Sequence, residues 1–133
     1  MSNPISPELK TGTIGELLVQ TRLLQYNVQA APPLKDSGND LIAIRESAIR
    51  RLQVKTTDLD HYRKPDKKKK YDILAAVRLV GCDQEISLDK CEIYLIKKKE
   101  LVGLSLHFSK IPQFKLSSDD ASMLINALFP LDT

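Results

Sequence analysis

The first part of the chain combines a helical pattern with a short extended segment. From Pro7 to Tyr26 the apolar positions recur at intervals of three and four, which predicts an α-helix with Ser6 or Thr13 as its N-cap. We expect the helix to stop at Asn27, because asparagine tolerates the left-handed conformation that often ends a helix. Val28 to Ala31 then predicts a short strand, closed by two consecutive prolines.

Two further extended segments predict a β-hairpin. Asp40 to Arg45 and Ile49 to Thr56 both favour strands, separated by a three-residue break and preceded by turn-forming residues at 36–39. Successive side chains of a strand point to opposite sides, so Leu52 and Val54 share one face of the second segment. The polar residues of this segment then share the other face: Arg51, Gln53 and Lys55.

The second half of the chain predicts more strands and a final helix. A continuous apolar run from Ile73 to Val80 is typical of a strand covered on both faces. Cys91 to Ile96 predicts a further strand, Val102 to Phe108 an edge strand, and Ser117 to Asp120 the cap of a last amphipathic helix. The order of elements predicts a single domain, residues 1–133, of the α/β (α+β) class, with a mixed central β-sheet flanked by helices.

Composition limits the kinds of protein that fit this pattern. The hydrophobic fraction of 42% is enough for one core. A chain of 133 residues is too short to hold a second catalytic domain. A formal charge of +3 is too small by itself to indicate a nucleic-acid partner. Cys82 and Cys91 lack the spacing of a zinc site, so we expect reduced thiols in a cytoplasmic protein. No signal-peptide pattern or long apolar stretch is present, so we expect neither secretion nor membrane insertion.

Asp40, Gln53 and Lys55 have the residue types and the spacing of a site that hydrolyses phosphodiester bonds. Such hydrolysis needs a cation against the charge that develops on the phosphate, an activated water, and often a lysine. Magnesium prefers oxygen ligands and keeps several waters, so two or three protein oxygens suffice. If the two segments pair as a hairpin, Asp40 begins one strand opposite the part of the other strand that carries Gln53 and Lys55.

These residues resemble the signature of the PD-(D/E)XK nuclease superfamily. In that superfamily an Asp begins one strand, an acid-x-Lys lies on the next, and a Glu commonly lies on the preceding helix. The matching segments are GELLVQTRLL around Glu16, DSGNDLIAI around Asp40, and LQVKTT around Gln53 and Lys55. The resemblance spans Thr13 to Leu101 and is nearest to the branch that holds Holliday-junction resolvases and certain group I intron homing endonucleases. It implies a restriction-endonuclease-like core.

The resemblance also implies roles for four side chains. Asp40 is then the central metal ligand, Gln53 a ligand through its side-chain carbonyl, and Glu16 the residue that completes the metal shell. Lys55 orients or activates the attacking water. The implied cofactor is Mg²⁺, with Mn²⁺ as a substitute. Gln53 departs from the usual Glu or Asp of the superfamily, and its neutral oxygen should lower the affinity for metal.

Each of these residues also has an ordinary structural interpretation. Glu16 has the capping-box spacing from a threonine three residues earlier. Asp40 is placed to finish a turn, and Asp36 is a rival ligand four residues upstream. Gln53 and Lys55 have the alternation of a half-exposed strand, whose polar residues usually face solvent. The combination with the resemblance favours the functional interpretation.

Residues 57–70, which we call the basic loop, directly follow the strand with Gln53 and Lys55. A cationic loop beside such a site can follow a phosphate backbone while a tyrosine stacks on a base, although charge runs more often only keep a loop solvated. For this loop we favour DNA contact, and we interpret the Lys97–Lys99 run as protection of a strand end. The predicted DNA-binding residues are Thr56, Thr57, His61, Tyr62, Arg63, Lys64, Lys67, Lys68, Lys69 and Lys70.

The leading hypothesis is a magnesium-dependent endonuclease that hydrolyses DNA phosphodiester bonds with water as the nucleophile. The second is a non-catalytic DNA-binding or assembly module on the same scaffold, and a third is a protein-interaction domain with no nucleic-acid role. A chain of this size spans only part of a duplex, so we expect a homodimer or higher homo-oligomer. Leu101 to Phe108 and the last helix are the candidate contact surfaces.

Overall fold

The first helix begins at the predicted residue and ends two residues before the predicted end. The computed structural model describes residues 5–35, 39–82, 84–117 and 119–132. Helix α1 comprises Pro7–Leu24, and the hydroxyl of its N-cap, Ser6, accepts a hydrogen bond from the backbone N–H of Leu9 at 3.1 Å. Asn27 adopts a left-handed conformation with φ 65°, which confirms the predicted helix stop. No helix in these ranges is long and apolar enough to cross a membrane.

Most of the remaining regular structure is one mixed β-sheet. The strands and the second helix are β1 (Gln29–Ala31), β2 (Leu41–Arg45), β3 (Ala48–Thr57), β4 (Ile73–Arg78), β5 (Gly81–Cys82), β6 (Glu85–Ile86), β7 (Glu92–Lys97) and α2 (Ala121–Leu128). The strands of the mixed sheet lie in the order β1-β2-β3-β4-β7, with β3 and β4 parallel and the other neighbours antiparallel. Strands β5 and β6 pair only with each other in the described part of the chain.

Strands β2 and β3 form the predicted hairpin. Leu41 is opposite Leu52 and Arg45 is opposite Ala48, so the turn is shorter than the predicted three-residue break. The tight turn is possible because Glu46 takes a positive φ of 53°. Extending the register by one residue beyond Leu41 brings Asp40 beside Gln53.

The two sides of the sheet are covered in different ways. The side we call the helical face packs against α1 and α2 through aliphatic residues such as Leu52 and Val77. The side we call the loop face packs against irregular segments through Leu74, Ala76 and a group of aromatic residues. Strand β4 contributes to both cores, which confirms the prediction of a strand covered on both faces.

The predicted edge strand from Val102 to Phe108 is wrong. This segment contains a turn with Gly103 at φ 73°, and its single ladder contact is an isolated bridge between His107 and His61. Val102 is 87% exposed, whereas Phe108 is buried in the core of the loop face. The alternating apolar residues therefore anchor an irregular segment rather than one face of a strand.

The last helix has the predicted buried stripe but not the predicted cap. Ala121, Ile125 and Leu128 are buried against the helical face. Asp120 occupies the N-cap position, yet its side chain makes no capping hydrogen bond. Residue 118 of the predicted cap and residues 36–38 of the predicted turn, including the rival ligand Asp36, lie outside the described residues.

Candidate functional site

Asp40 and Gln53 are in direct contact at the start of β2. The backbone N–H of Asp40 donates to the carbonyl of Leu52 at 2.9 Å, which fixes the main chain just before the strand. Its Oδ2 atom then accepts hydrogen bonds from Gln53 Nε2 and from the backbone N–H of Val54, both at 2.8 Å. The hairpin register thus brings together two of the four side chains that the sequence singled out.

Gln53 is a buried polar residue with an unused acceptor. Only 3% of it is exposed, and it lies on the loop face beside Leu74 of β4. Its Nε2 is bound to Asp40, whereas its Oε1 is buried without a hydrogen-bond partner in the described structure. A buried carbonyl oxygen without a partner is uncommon in proteins and calls for a ligand or a water.

Glu16 lies near enough to Asp40 for their charges to interact. It follows Gly15 on α1, and Gly15 is buried where the helix approaches Thr56 of β3. Partial burial raises the pKa of Glu16, and the negative charge of Asp40 raises it further. A cation between two such carboxylates would relieve their repulsion.

Lys55 shares the loop face with Gln53 but does not complete a cluster with it. It lies two residues farther along β3 and is half-buried. Within the described ranges, its ammonium forms no ion pair or hydrogen bond with Asp40 or Gln53. The lysine is therefore available to a ligand on this face, and its predicted role in water activation stays a prediction.

The oxygen atoms of this site suit a hard cation that keeps most of its waters. Both hydrogen bonds to Asp40 end on Oδ2, which leaves Oδ1 available, and Gln53 Oε1 has no partner. Across residues that the structure describes, no three His, Cys, Asp or Glu side chains form a metal cluster. Two carboxylates and one amide fit Mg²⁺, which often takes few protein ligands, better than they fit Zn²⁺.

Two of the predicted DNA-binding residues are partly or fully buried: Thr56 is half-buried and Tyr62 is fully buried. Thr56 points to the helical face, where its hydroxyl is buried against Gly15. Tyr62 is 1% exposed and donates a hydrogen bond from its hydroxyl to the carbonyl of Ser105 at 2.8 Å. The Tyr62 ring cannot stack on a base without local opening, so this assignment is corrected to a packing role, whereas the DNA contact of Thr56 stays a prediction.

Thr57 also has a structural role at the end of β3. Its hydroxyl accepts a hydrogen bond from the backbone N–H of Leu59 at 3.0 Å, as in a turn that begins with threonine. This contact gives the threonine a role in ending the strand, and its predicted contact with DNA stays a prediction.

The cations of the basic loop are exposed. A tight turn begins at Asp66, whose carboxylate accepts from the backbone N–H of Lys68 at 2.9 Å and whose carbonyl accepts from Lys69 at 3.1 Å. This turn presents the lysines without using their ammonium groups. The exposed predicted contacts are His61, Arg63, Lys64, Lys67, Lys68, Lys69 and Lys70.

Sequence reasoning missed a cluster of polar side chains at the base of the basic loop. The exposed carboxylate of Asp60 contacts His61 Nδ1 at 3.0 Å and His107 Nε2 at 3.1 Å. These contacts lower the pKa of Asp60, and the hydrogen bond with His61 has the largest effect. The backbones of the two histidines also form an isolated antiparallel β-bridge. Their separation by 46 positions left no sequence signal for the pairing.

No protein-family model matches the chain, and no curated protein matches it. Among solved structures, it is similar to a bacterial homing endonuclease, I-Ssp6803I. The TM-score is 0.53 at 19% identity, over 75% of this chain and 71% of that one. At this identity the likeness shows the fold: the chain has the nuclease-like α+β fold, with a five-stranded mixed sheet and two helices, that its sequence predicts.

Proposed function

We propose that the protein is a metal-dependent endonuclease that hydrolyses phosphodiester bonds in DNA. The observation that carries the proposal is the contact between Asp40 and Gln53, with Glu16 close by and an unused buried oxygen on Gln53. The nuclease-like fold, shared with a bacterial homing endonuclease, supports the same function. The exposed cations of the basic loop suit a polyanionic substrate.

In this proposal the four side chains have separate roles. Glu16, Asp40 and Gln53 would hold Mg²⁺ through their oxygens, and the cation, when bound, would supply positive charge where negative charge develops on the phosphate. The ammonium of Lys55 donates a hydrogen bond to the attacking water and so orients it. The water oxygen bonds to phosphorus as the bond to the leaving sugar oxygen breaks, and a proton from the water neutralises that oxygen.

A second candidate function is a non-catalytic DNA-binding module. The hydrogen bond from Gln53 to Asp40 supports it, because the amide stabilises the Asp40 carboxylate without any cation. A glutamate at position 53 would instead repel Asp40 and favour metal binding. The wild-type glutamine is therefore compatible with a protein that folds and binds DNA free of metal.

Cleavage by the full chain tests the first function. Linear, nicked, forked and four-way DNA are incubated with Mg²⁺ or Mn²⁺ and the wild type, Asp40→Asn or Lys55→Gln. Each substitution should lower the cleavage rate by about 100-fold or more. Asp89→Asn and Lys90→Gln are matched controls, because both residues are exposed in the short segment before β7 and outside the site.

Two outcomes would end the nuclease proposal. One is metal-dependent cleavage that survives in the Asp40 and Lys55 variants. The other is a wild type that binds DNA, cuts none of these substrates and shows no calorimetric signal with millimolar Mg²⁺. That second result would instead favour the binding module.

A further inference from the structure

A groove of about 440 Å³ opens beside the first half of β3. It exists because β4 pairs with β3 only from Leu52 onward, so the preceding part of the ten-residue strand has no neighbouring strand on that side. The vacant side is bordered by Asp72 and by the end of β7. Four cationic side chains line the groove: Arg50, Lys97, Lys98 and Lys99.

Within the described ranges these four cations form no salt bridge, although the charge of Arg50 acts on Asp72. The acidic residue that lines the groove, Asp72, is already bound to Arg51 at 3.0 Å. Arg50 donates to the neutral carbonyls of Leu128 and Ile49, each at 3.0 Å. The groove therefore has an excess of positive charge that an anionic ligand would compensate.

Lys98 joins this groove to the basic loop. Its Nζ donates to the carbonyl of Lys69 at 2.6 Å and lies 4.6 Å from the centre of the Tyr71 ring. Its backbone N–H also donates to the carbonyl of Asp72 at 3.0 Å. Two lysine runs that are far apart in the sequence thus form one continuous surface, and Lys98 is the link between them.

We infer that this groove binds backbone phosphates of the DNA next to the candidate cleavage site, and that Lys98 is a positioning residue for the basic loop. The inference rests on the proposed DNA partner, and it concerns residues outside the nuclease signature. Arg50, which lines the groove, lies three residues from Gln53 on β3, or about 10 Å along the strand. One DNA strand rises about 3.4 Å per nucleotide, so the groove lies about three nucleotides from the site.

Equilibrium DNA binding without metal tests the groove separately from catalysis. Fluorescence anisotropy of a labelled duplex is measured in EDTA over a range of salt concentrations. The double variant Lys97→Gln/Lys99→Gln should lose about two phosphate contacts, which lowers the slope of log K against log salt by about 1.8. The charge-matched control is Arg22→Gln/Lys90→Gln, since these residues line a different hollow between α1 and the start of β7.

Lys98→Met tests the positioning role. The substitution keeps an apolar stem near Tyr71 but removes the link to Lys69, so the lysines of the basic loop should lose their fixed orientation. We expect the salt slope to fall by more than the value of about 0.9 for one contact. Lys98→Arg should restore most of it, while circular dichroism stays unchanged in all variants.

The results separate this inference from the proposed nuclease activity. If the wild type binds DNA and the groove variants match the control, the groove inference is overturned and the nuclease proposal is untouched. If the groove variants lose binding while the wild type never cleaves DNA, the groove stands without the nuclease. The groove inference is also overturned if the wild type shows no salt-dependent DNA binding. It is overturned as well if inorganic pyrophosphate competes with DNA equally well in the wild type and in the groove variants.

Discussion

The two faces of the sheet differ in the side chains that form their cores and in the segments that cover them. The helical face is aliphatic and covered by regular helices. The loop face is held by aromatic contacts, with ring centres 5.6 Å apart for Tyr62 and Phe108 and 5.0 Å apart for Tyr94 and Phe108. Gln53, Lys55 and the basic loop all belong to the loop face. The helical face thus mainly stabilises the fold, with Glu16 of its helix α1 reaching the candidate site, and the loop face carries Gln53 and Lys55 beneath an irregular cover.

Removing the central aromatic ring of the loop face should have the largest effect. Phe108→Ala should lower the free energy of unfolding by about 3 to 5 kcal/mol, because it leaves a cavity between Tyr62 and Tyr94. Urea unfolding gives the value. Amide exchange at Tyr62, whose N–H donates to Leu106, should accelerate as well.

Leu128→Ala on the helical face is the matched control for this substitution. It should also destabilise the protein, by about 2 to 5 kcal/mol. Amide exchange at Tyr62 should then accelerate no more than the change in global stability requires. Equal acceleration at Tyr62 in both variants would show that the two faces do not behave as separate units.

Changing the buried amide of the loop face to an acid should have the next largest effect. Gln53→Glu buries a second carboxylate beside Asp40 and removes the donor of a 2.8 Å hydrogen bond. Without metal, the unfolding free energy should fall by about 2 to 3 kcal/mol. Thermal unfolding should show Mg²⁺ stabilising this variant more than the wild type. Lack of any such Mg²⁺ response would argue against a metal site here.

Adding a methyl group at Gly15, between α1 and the sheet, should cause a smaller loss of stability. In Gly15→Ala the added Cβ would overlap the hydroxyl of Thr56 and lie 2.8 Å from its Cβ, both parts of a stiff side chain. We expect a loss of about 2 kcal/mol in unfolding experiments. Gly12→Ala in the same helix meets nothing within 4 Å and should gain about 0.5 to 1 kcal/mol. A change in unfolding free energy of the same sign in both variants would contradict the close approach of Gly15 to Thr56.

The features that could be predicted from the sequence are those that follow a regular repeat. The alternation in β3 and the hairpin register led to the contact of Asp40 with Gln53, because a strand has a fixed repeat. The cover of the loop face has no such repeat. The segment around Phe108 was therefore mistaken for a strand, and the burial of Tyr62 was missed.

The groove and the histidine pair were missed for a related reason. Lys98 meets Lys69, and His107 meets His61, across separations that only the folded chain brings together. Nothing in the local pattern of either segment identifies its distant partner. Residues that act through long-range contacts are thus the part of the site that sequence reasoning did not reach.

The smallest predicted effect concerns the ion pair between Arg51 and Asp72. Asp72 accepts hydrogen bonds from Arg51 Nε at 3.2 Å and from its NH2 group at 3.0 Å, as well as from its backbone N–H at 2.7 Å. These hydrogen bonds lower the pKa of Asp72 below its ordinary 3.8. Because the pair is partly exposed and screened by solvent, Asp72→Asn should cost only about 1 kcal/mol.

The pH dependence of this cost follows from the direction of the pKa shift. A carboxyl whose pKa is lower in the folded state stabilises the fold above its unfolded pKa, and this contribution is lost as the pH falls through the folded value. The difference between the wild type and Asp72→Asn should therefore be constant near neutral pH and shrink as the pH falls below 3.8. Urea unfolding at several pH values measures it, with Asp89→Asn as the exposed control. A difference that grows in acid would show that another interaction of Asp72 dominates.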